Sequence, residues 1–174
     1  RFVELVSPYA APDADVAAAL REFERGRVPI TGYGVKAFTL SMVQAAVAIT
    51  GGEIPSAVVA EVLEPGLEML TEPVRLLPGV PEVLDDLASD HRLVLITKGD
   101  LVHQDRKVRT SGLVHMFEKI EIVLEKDAEV YRRVLVDLDV KPESFVMVGN
   151  SVRSDILPVL SIGAHAVHVP YPLL

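Results

Sequence analysis

The chain has 174 residues, 17 of them Lys or Arg and 25 Asp or Glu, so its formal net charge is -8. Hydrophobic residues make up 49% and the mean hydropathy is +0.33, which excludes a disordered chain and allows one sizeable aliphatic core. The negative surface speaks against a nucleic-acid partner. The absence of cysteine removes disulfides, thiol nucleophiles and Cys-ligated metals and suits a reducing, cytoplasmic location.

No apolar run approaches the roughly 20 residues that span a bilayer, so no membrane partner is expected. Residue 1 is Arg, and Phe2 to Val6 reads as the last turns of a helix. Asp13 or Asp15 can cap a helix that Arg25 and Gly26 should end. Val35 to Ile49 is rich in Ala, Met and Leu and is bounded by Gly51 and Gly52, a third helical stretch by composition. Pro55 suits the first turn of the next helix, which Pro65 and Gly66 should break. This region lacks the alternation of strands, so it reads as an all-helical module.

After Pro78 and Gly79 the rhythm changes. Pro81 to Ala88 reads as a helix and Arg92 to Ile96 as a buried strand. A helix over Leu101 to Ser111 is followed by a strand over Ile120 to Leu124. Ala128 to Leu138 is helical, with Val130, Val134, Leu135 and Leu138 on one face. Phe145 to Val148 is the third strand, Asp155 to Ile162 a helix, and His165 to Val169 the fourth strand. Alternating strands and helices predict an α/β fold, a Rossmann-like parallel sheet with helices on both faces. Ligands of such sheets bind beyond the C-terminal strand ends.

Three strand ends carry polar residues. Thr97, Lys98 and Gly99 place a hydroxyl, a cation and a free backbone where a phosphate oxygen could sit; a plain polar turn is the alternative. Lys126 precedes Asp127, a good helix cap. Gly149 opens the third strand end, where Asn150 and Asp155 offer hard oxygens to Mg²⁺; Ser154 or Asp155 as an ordinary N-cap explains only one of them.

In this order and spacing the three ends resemble the haloacid dehalogenase-like hydrolase superfamily. Thr97 matches its second motif, Lys126 its third, and Gly149, Asn150 and Asp155 its fourth. The resemblance implies a phosphatase-like branch: residues 1–75 as a helical cap and 76–174 as the α/β core without its first strand. It implies Thr97 and Lys126 as catalytic residues, Thr97, Lys98 and Gly99 as the phosphate site, and Asn150 and Asp155 as ligands of a Mg²⁺ cofactor. The substrate would be a small phosphorylated metabolite, hydrolysed through an aspartyl-phosphate. The first motif, Asp-x-Asp after a strand, is not matched. Asp13 and Asp15 have the spacing but open a helix with no strand before them. The expectation is therefore that a segment before Arg1 supplies the nucleophile, and that the 174 residues alone are inactive. A metal-independent dehalogenase-type hydrolase and a non-catalytic binding module of the same fold are the alternatives. Gly32, Gly34 and Ala37 also fit a dinucleotide fingerprint, but the stretch before them, with Pro29, is a poor strand.

Overall fold

The computed structural model describes residues 1–171. They fall into two compact units, Arg1–Ile122 and the residues from Val123 onward. Among them no helix is long and apolar enough to cross a membrane.

The first unit opens with four helices, α1 (Phe2–Val6), α2 (Val16–Thr31), α3 (Val35–Ile49) and α4 (Ser56–Thr71). Asp15 is the residue that caps α2, its side chain accepting from Ala18 N at 2.8 Å. The core is aliphatic, as the scarcity of aromatics requires. Val6, Val16, Met42, Ala46 and Val62 are buried together, with Phe2, Leu5, Leu20 and Phe38 packed around them. Each large side chain so buried contributes about 1.5–3 kcal/mol.

Two expected helix ends are not ends. α2 continues through Gly26 and Pro29 to Thr31, so the residues before Gly32 are helix and the dinucleotide motif has no strand. α4 continues through Pro65 and Gly66 to Thr71. The reason is tertiary. α2 and α4 both pack along α3, and burial of their apolar faces outweighs the weak propensity of these residues. Gly66 is itself buried against Thr39 of α3; the residue read as a breaker is the point of closest approach between two helices.

The unit continues with α5 (Val80–Ala88), β1 (Val94–Lys98), α6 (Leu101–Thr110) and β2 (Lys119–Val123), the last residue of which opens the second unit. β1 pairs with β2. The start of the pair is fixed by Glu118 N donating to Leu93 O at 2.9 Å and by a two-pronged Arg92–Glu118 contact, both bonds 2.6 Å.

The second unit contains α7 (Ala128–Asp137), β3 (Val146–Gly149), a π-helical turn over Val152–Ile156, α8 (Leu157–Ser161) and β4 (His165–His168). β3 and β4 are parallel, with Val146 opposite His165 and Gly149 opposite His168. The four strands thus form two two-stranded sheets. The core face of α7 is Tyr131, Val134, Leu135 and Leu138, and Val159 of α8 joins them. Tyr131 takes the place expected of Val130, which is only half-buried.

Candidate active site

The first unit presents the turn from β1 into α6. Thr97 and Lys98 end the strand. Asp100 caps α6, accepting from His103 N at 2.9 Å. Its carboxylate also faces Lys36 Nζ of α3 at 3.1 Å. The His103 amide, and then the Lys36 ammonium, hold the Asp100 carboxyl below the usual carboxylate range against the opposing effect of burial. Thr97 Oγ1 donates to Gln104 Oε1 at 3.2 Å. Gly99 is buried at φ +145° with Gln104 packed against it. Lys98 Nζ lies 3.8 Å from the centroid of the Tyr33 ring. Thr97, Lys98 and Gly99 therefore lie on one turn, braced by Gln104 and Tyr33, neither of which sequence reasoning singled out for that part.

The second unit presents a buried ion pair. Asp127 caps α7 through Val130 N at 2.9 Å, and this anchors the segment that carries Lys126. Lys126 Nζ reaches Asp155 Oδ1 at 2.7 Å, the two side chains being 12% and 4% exposed. The other oxygen, Oδ2, accepts from Ser151 N at 2.9 Å. At this depth each charge depends on the other, because an unpaired buried ion is costly.

Ser151, not Ser154 or Asp155, caps the turn after β3, its hydroxyl accepting from Ser154 N at 3.2 Å. Asp155 therefore sits inside the turn with its carboxylate directed back at the strand exit. Gly149 makes room for it: a Cβ there would lie 2.5 Å from Asp155 Cγ. Tyr131, fully buried, donates from its hydroxyl to Ser154 O at 2.9 Å. Burial, followed by the charge of Asp155, pushes the Tyr131 phenol well above its ordinary pKa, so it remains a donor. The Asn150 carbonyl lies 3.0 Å from His168 Nε2; since a carbonyl only accepts, Nε2 carries the proton.

Asp155 and Asn150 supply hard oxygens of the kind Mg²⁺ takes, and the space left by Gly149 admits the carboxylate to the strand exit. Among the described residues no three His, Cys, Asp or Glu side chains gather as a metal cluster. Asp13 and Asp15 lie in an exposed loop before α2, not at a strand end. The family resemblance puts Lys126 and Asp155, 29 positions apart, in one expected site, but no pattern in the sequence shows that the two side chains pair directly; Tyr131 and Ser151 could have been suspected only from their nearness to them.

The model of one family, the haloacid dehalogenase-like hydrolases, matches residues 10–163. A curated relative, the glyceraldehyde 3-phosphate phosphatase of Methanothermobacter thermautotrophicus, is 32% identical over 102 residues, which are 55% of this chain and 45% of that protein. The match thus spans less than half of the relative's length. The crystal structure of a haloacid dehalogenase-like family hydrolase from Xanthomonas campestris is 42% identical with a TM-score of 0.91, over 98% of this chain and 71% of that one. A 2-haloacid dehalogenase from Pseudomonas syringae shares the fold at 17% identity, with a TM-score of 0.61 over 96% of this chain and 74% of that one. With a parallel strand pair, polar strand exits and a family match over most of its length, the chain belongs to the haloacid dehalogenase-like hydrolases and has their α/β fold.

Proposed function

We infer that the protein is a phosphohydrolase that acts with Mg²⁺ on a small phosphorylated metabolite. The observation that carries this reading is the buried Lys126–Asp155 pair beside the Gly149–Asn150 strand exit. A lysine held at 2.7 Å from a buried carboxylate is a fixed cation, suited to offset charge that builds on a phosphoryl group. Asp155 and Asn150 would hold Mg²⁺, which when bound supplies Lewis-acid polarisation of a phosphoryl oxygen. Thr97 would turn its hydroxyl from Gln104 to a phosphoryl oxygen, while Lys98 and the Gly99 amide bind the others. The attacking carboxylate of an aspartyl-phosphate route is assigned to neither Asp13 nor Asp15. The relative named as a glyceraldehyde 3-phosphate phosphatase supports phosphoryl transfer over halide displacement.

The test is an assay of the full-length protein with p-nitrophenyl phosphate, with Mg²⁺ and with a chelator, beside a 2-haloacid scored for halide release. Phosphate release that the chelator abolishes, and that Lys126→Met lowers about 100-fold or more, is the expected result. Halide release without phosphate release would instead identify a dehalogenase. Neither activity would leave a binding module.

A further inference from the structure

The turn between β1 and α6 holds a hydrogen bond whose direction matters. Thr97 Oγ1 donates to Gln104 Oε1 at 3.2 Å. Gln104 stands early in α6, and its side chain lies across Gly99: a Cβ there would be 2.9 Å from Gln104 Nε2 and 3.3 Å from its Cγ. Gly99 is buried at φ +145°, and its missing side chain is what gives the amide this room. A hydroxyl has one proton. While Gln104 Oε1 accepts it, Thr97 shows only lone pairs elsewhere, and lone pairs repel an anion. We propose that Gln104 is a positioning residue for Thr97, an amide that turns over when a phosphoryl-type anion arrives, so that its Nε2 donates to Thr97 Oγ1 and the Thr97 proton goes to the anion. The proposal rests on the reading of this turn as the phosphate site.

The physical case is the two-sided character of a primary amide. One atom accepts and the other donates, and the two occupy nearly the same space. Half a rotation about the last side-chain torsion exchanges them with little change of shape, and that torsion is a soft, roughly two-fold one. Without an anion, Oε1 satisfies the Thr97 proton. With one, Nε2 holds Oγ1 from behind and completes a chain from the amide through the hydroxyl to the anion, in which each bond strengthens the next. The bond to the anion is charge-assisted, which favours the turned-over arrangement once the anion is bound. A carboxylate at position 104 could only accept and would keep the Thr97 proton. A thioether would hold the hydroxyl in neither sense.

The experiment titrates inorganic phosphate, with Mg²⁺ present, into the full-length protein and follows the Gly99 amide by NMR. It compares wild type, Gln104→Met, Thr97→Val and the double variant. Gln104→Met keeps the length of the side chain and should bind about fivefold more weakly, the worth of one neutral hydrogen bond. Thr97→Val keeps the shape without the hydroxyl and should lose about tenfold or more. Because Gln104 acts through Thr97, adding Gln104→Met to Thr97→Val should change binding less than about twofold. A second measurement needs no variant: in wild type, one Gln104 side-chain NH proton should move downfield and exchange more slowly with water as phosphate saturates. Phosphate that binds wild type and Gln104→Met alike would overturn the role of Gln104 alone. So would an undiminished effect of Gln104→Met in the Thr97→Val background, or Gln104 NH signals that stay still at saturating phosphate. If phosphate leaves the wild-type Gly99 amide unmoved, the reading of the turn falls and the proposal with it.

Discussion

Asp155 has both carboxylate oxygens committed, one to Lys126 and one to Ser151 N, in a place where only 3% of the residue meets solvent. Removing one partner of such a pair costs far more than the pair itself contributes, because the survivor remains charged and buried. Lys126→Met should therefore destabilise the protein by about 3–5 kcal/mol in urea unfolding. Adding Asp155→Asn, which keeps an acceptor for Ser151 N and removes the charge, should return most of that loss without raising phosphate release above the level of Lys126→Met. If the double variant is no more stable than Lys126→Met, burial of charge is not what the pair manages. Asp100 shows the milder case. Its carboxyl is held below the usual range by the His103 amide and Lys36. A depressed carboxylate pKa stabilises the fold above the group's ordinary value, and that stability is lost as pH falls through the lower, folded value. Compared with Asp100→Asn, the wild type should hold a constant advantage at neutral pH and lose it only below about pH 4. An advantage that disappears between pH 6 and pH 8 would point to a different group.

Elements were legible in the sequence where pattern and composition agree, and misread where packing overrules them. Gly66 is the clear test. By intrinsic propensity Gly66→Ala in a helix should stabilise by about 1 kcal/mol. Gly66 is buried, however, and a Cβ there would collide with the Thr39 side chain, whose hydroxyl is engaged with Val35 O at 2.7 Å. Overpacking of that kind costs about 1–3 kcal/mol, so the expected outcome is a lower Tm. Thr39→Ala should relieve it, and the two changes together should be markedly non-additive. A higher Tm for Gly66→Ala alone would mean that α3 and α4 separate easily. The same override explains α2, which runs past Gly26 and Pro29. Strands β1 to β4 were placed within two residues because short aliphatic runs between helices leave little choice. The site was legible to a different degree. The residues of the strand ends, Thr97, Lys126 and Asn150, were visible through the family resemblance. The contacts that brace them, Tyr33 on Lys98, Gln104 on Thr97 and Tyr131 on Ser154, join positions 7 to 65 apart and carry no local pattern. The N-cap at Ser151 was missed because three capping residues lie within five positions and only the backbone decides among them.

At the scale of the whole molecule two features oppose each other. A net charge of -8 makes copies of the chain repel. Against this, β3 and β4 bury one face and expose the other: Met147 is 9% exposed, whereas Val146, Val148 and Val167 are 53%, 56% and 48% exposed. The register places Val148 directly opposite Val167, so the exposed valines are contiguous, and contiguous apolar surface promotes association. Repulsion among surface charges acts over a Debye length of about 30 Å at 0.01 M salt but only about 3 Å at 1 M. Apolar attraction does not weaken with salt. The polypeptide of residues 1–174 should therefore sediment as a monomer at low ionic strength and as larger species in high salt. Val167→Glu, which puts a further negative charge in the centre of the patch, should suppress the shift. An unchanged sedimentation coefficient across that range would show that the valine face drives no association; a shift that Val167→Glu does not suppress would place the contact elsewhere on the chain.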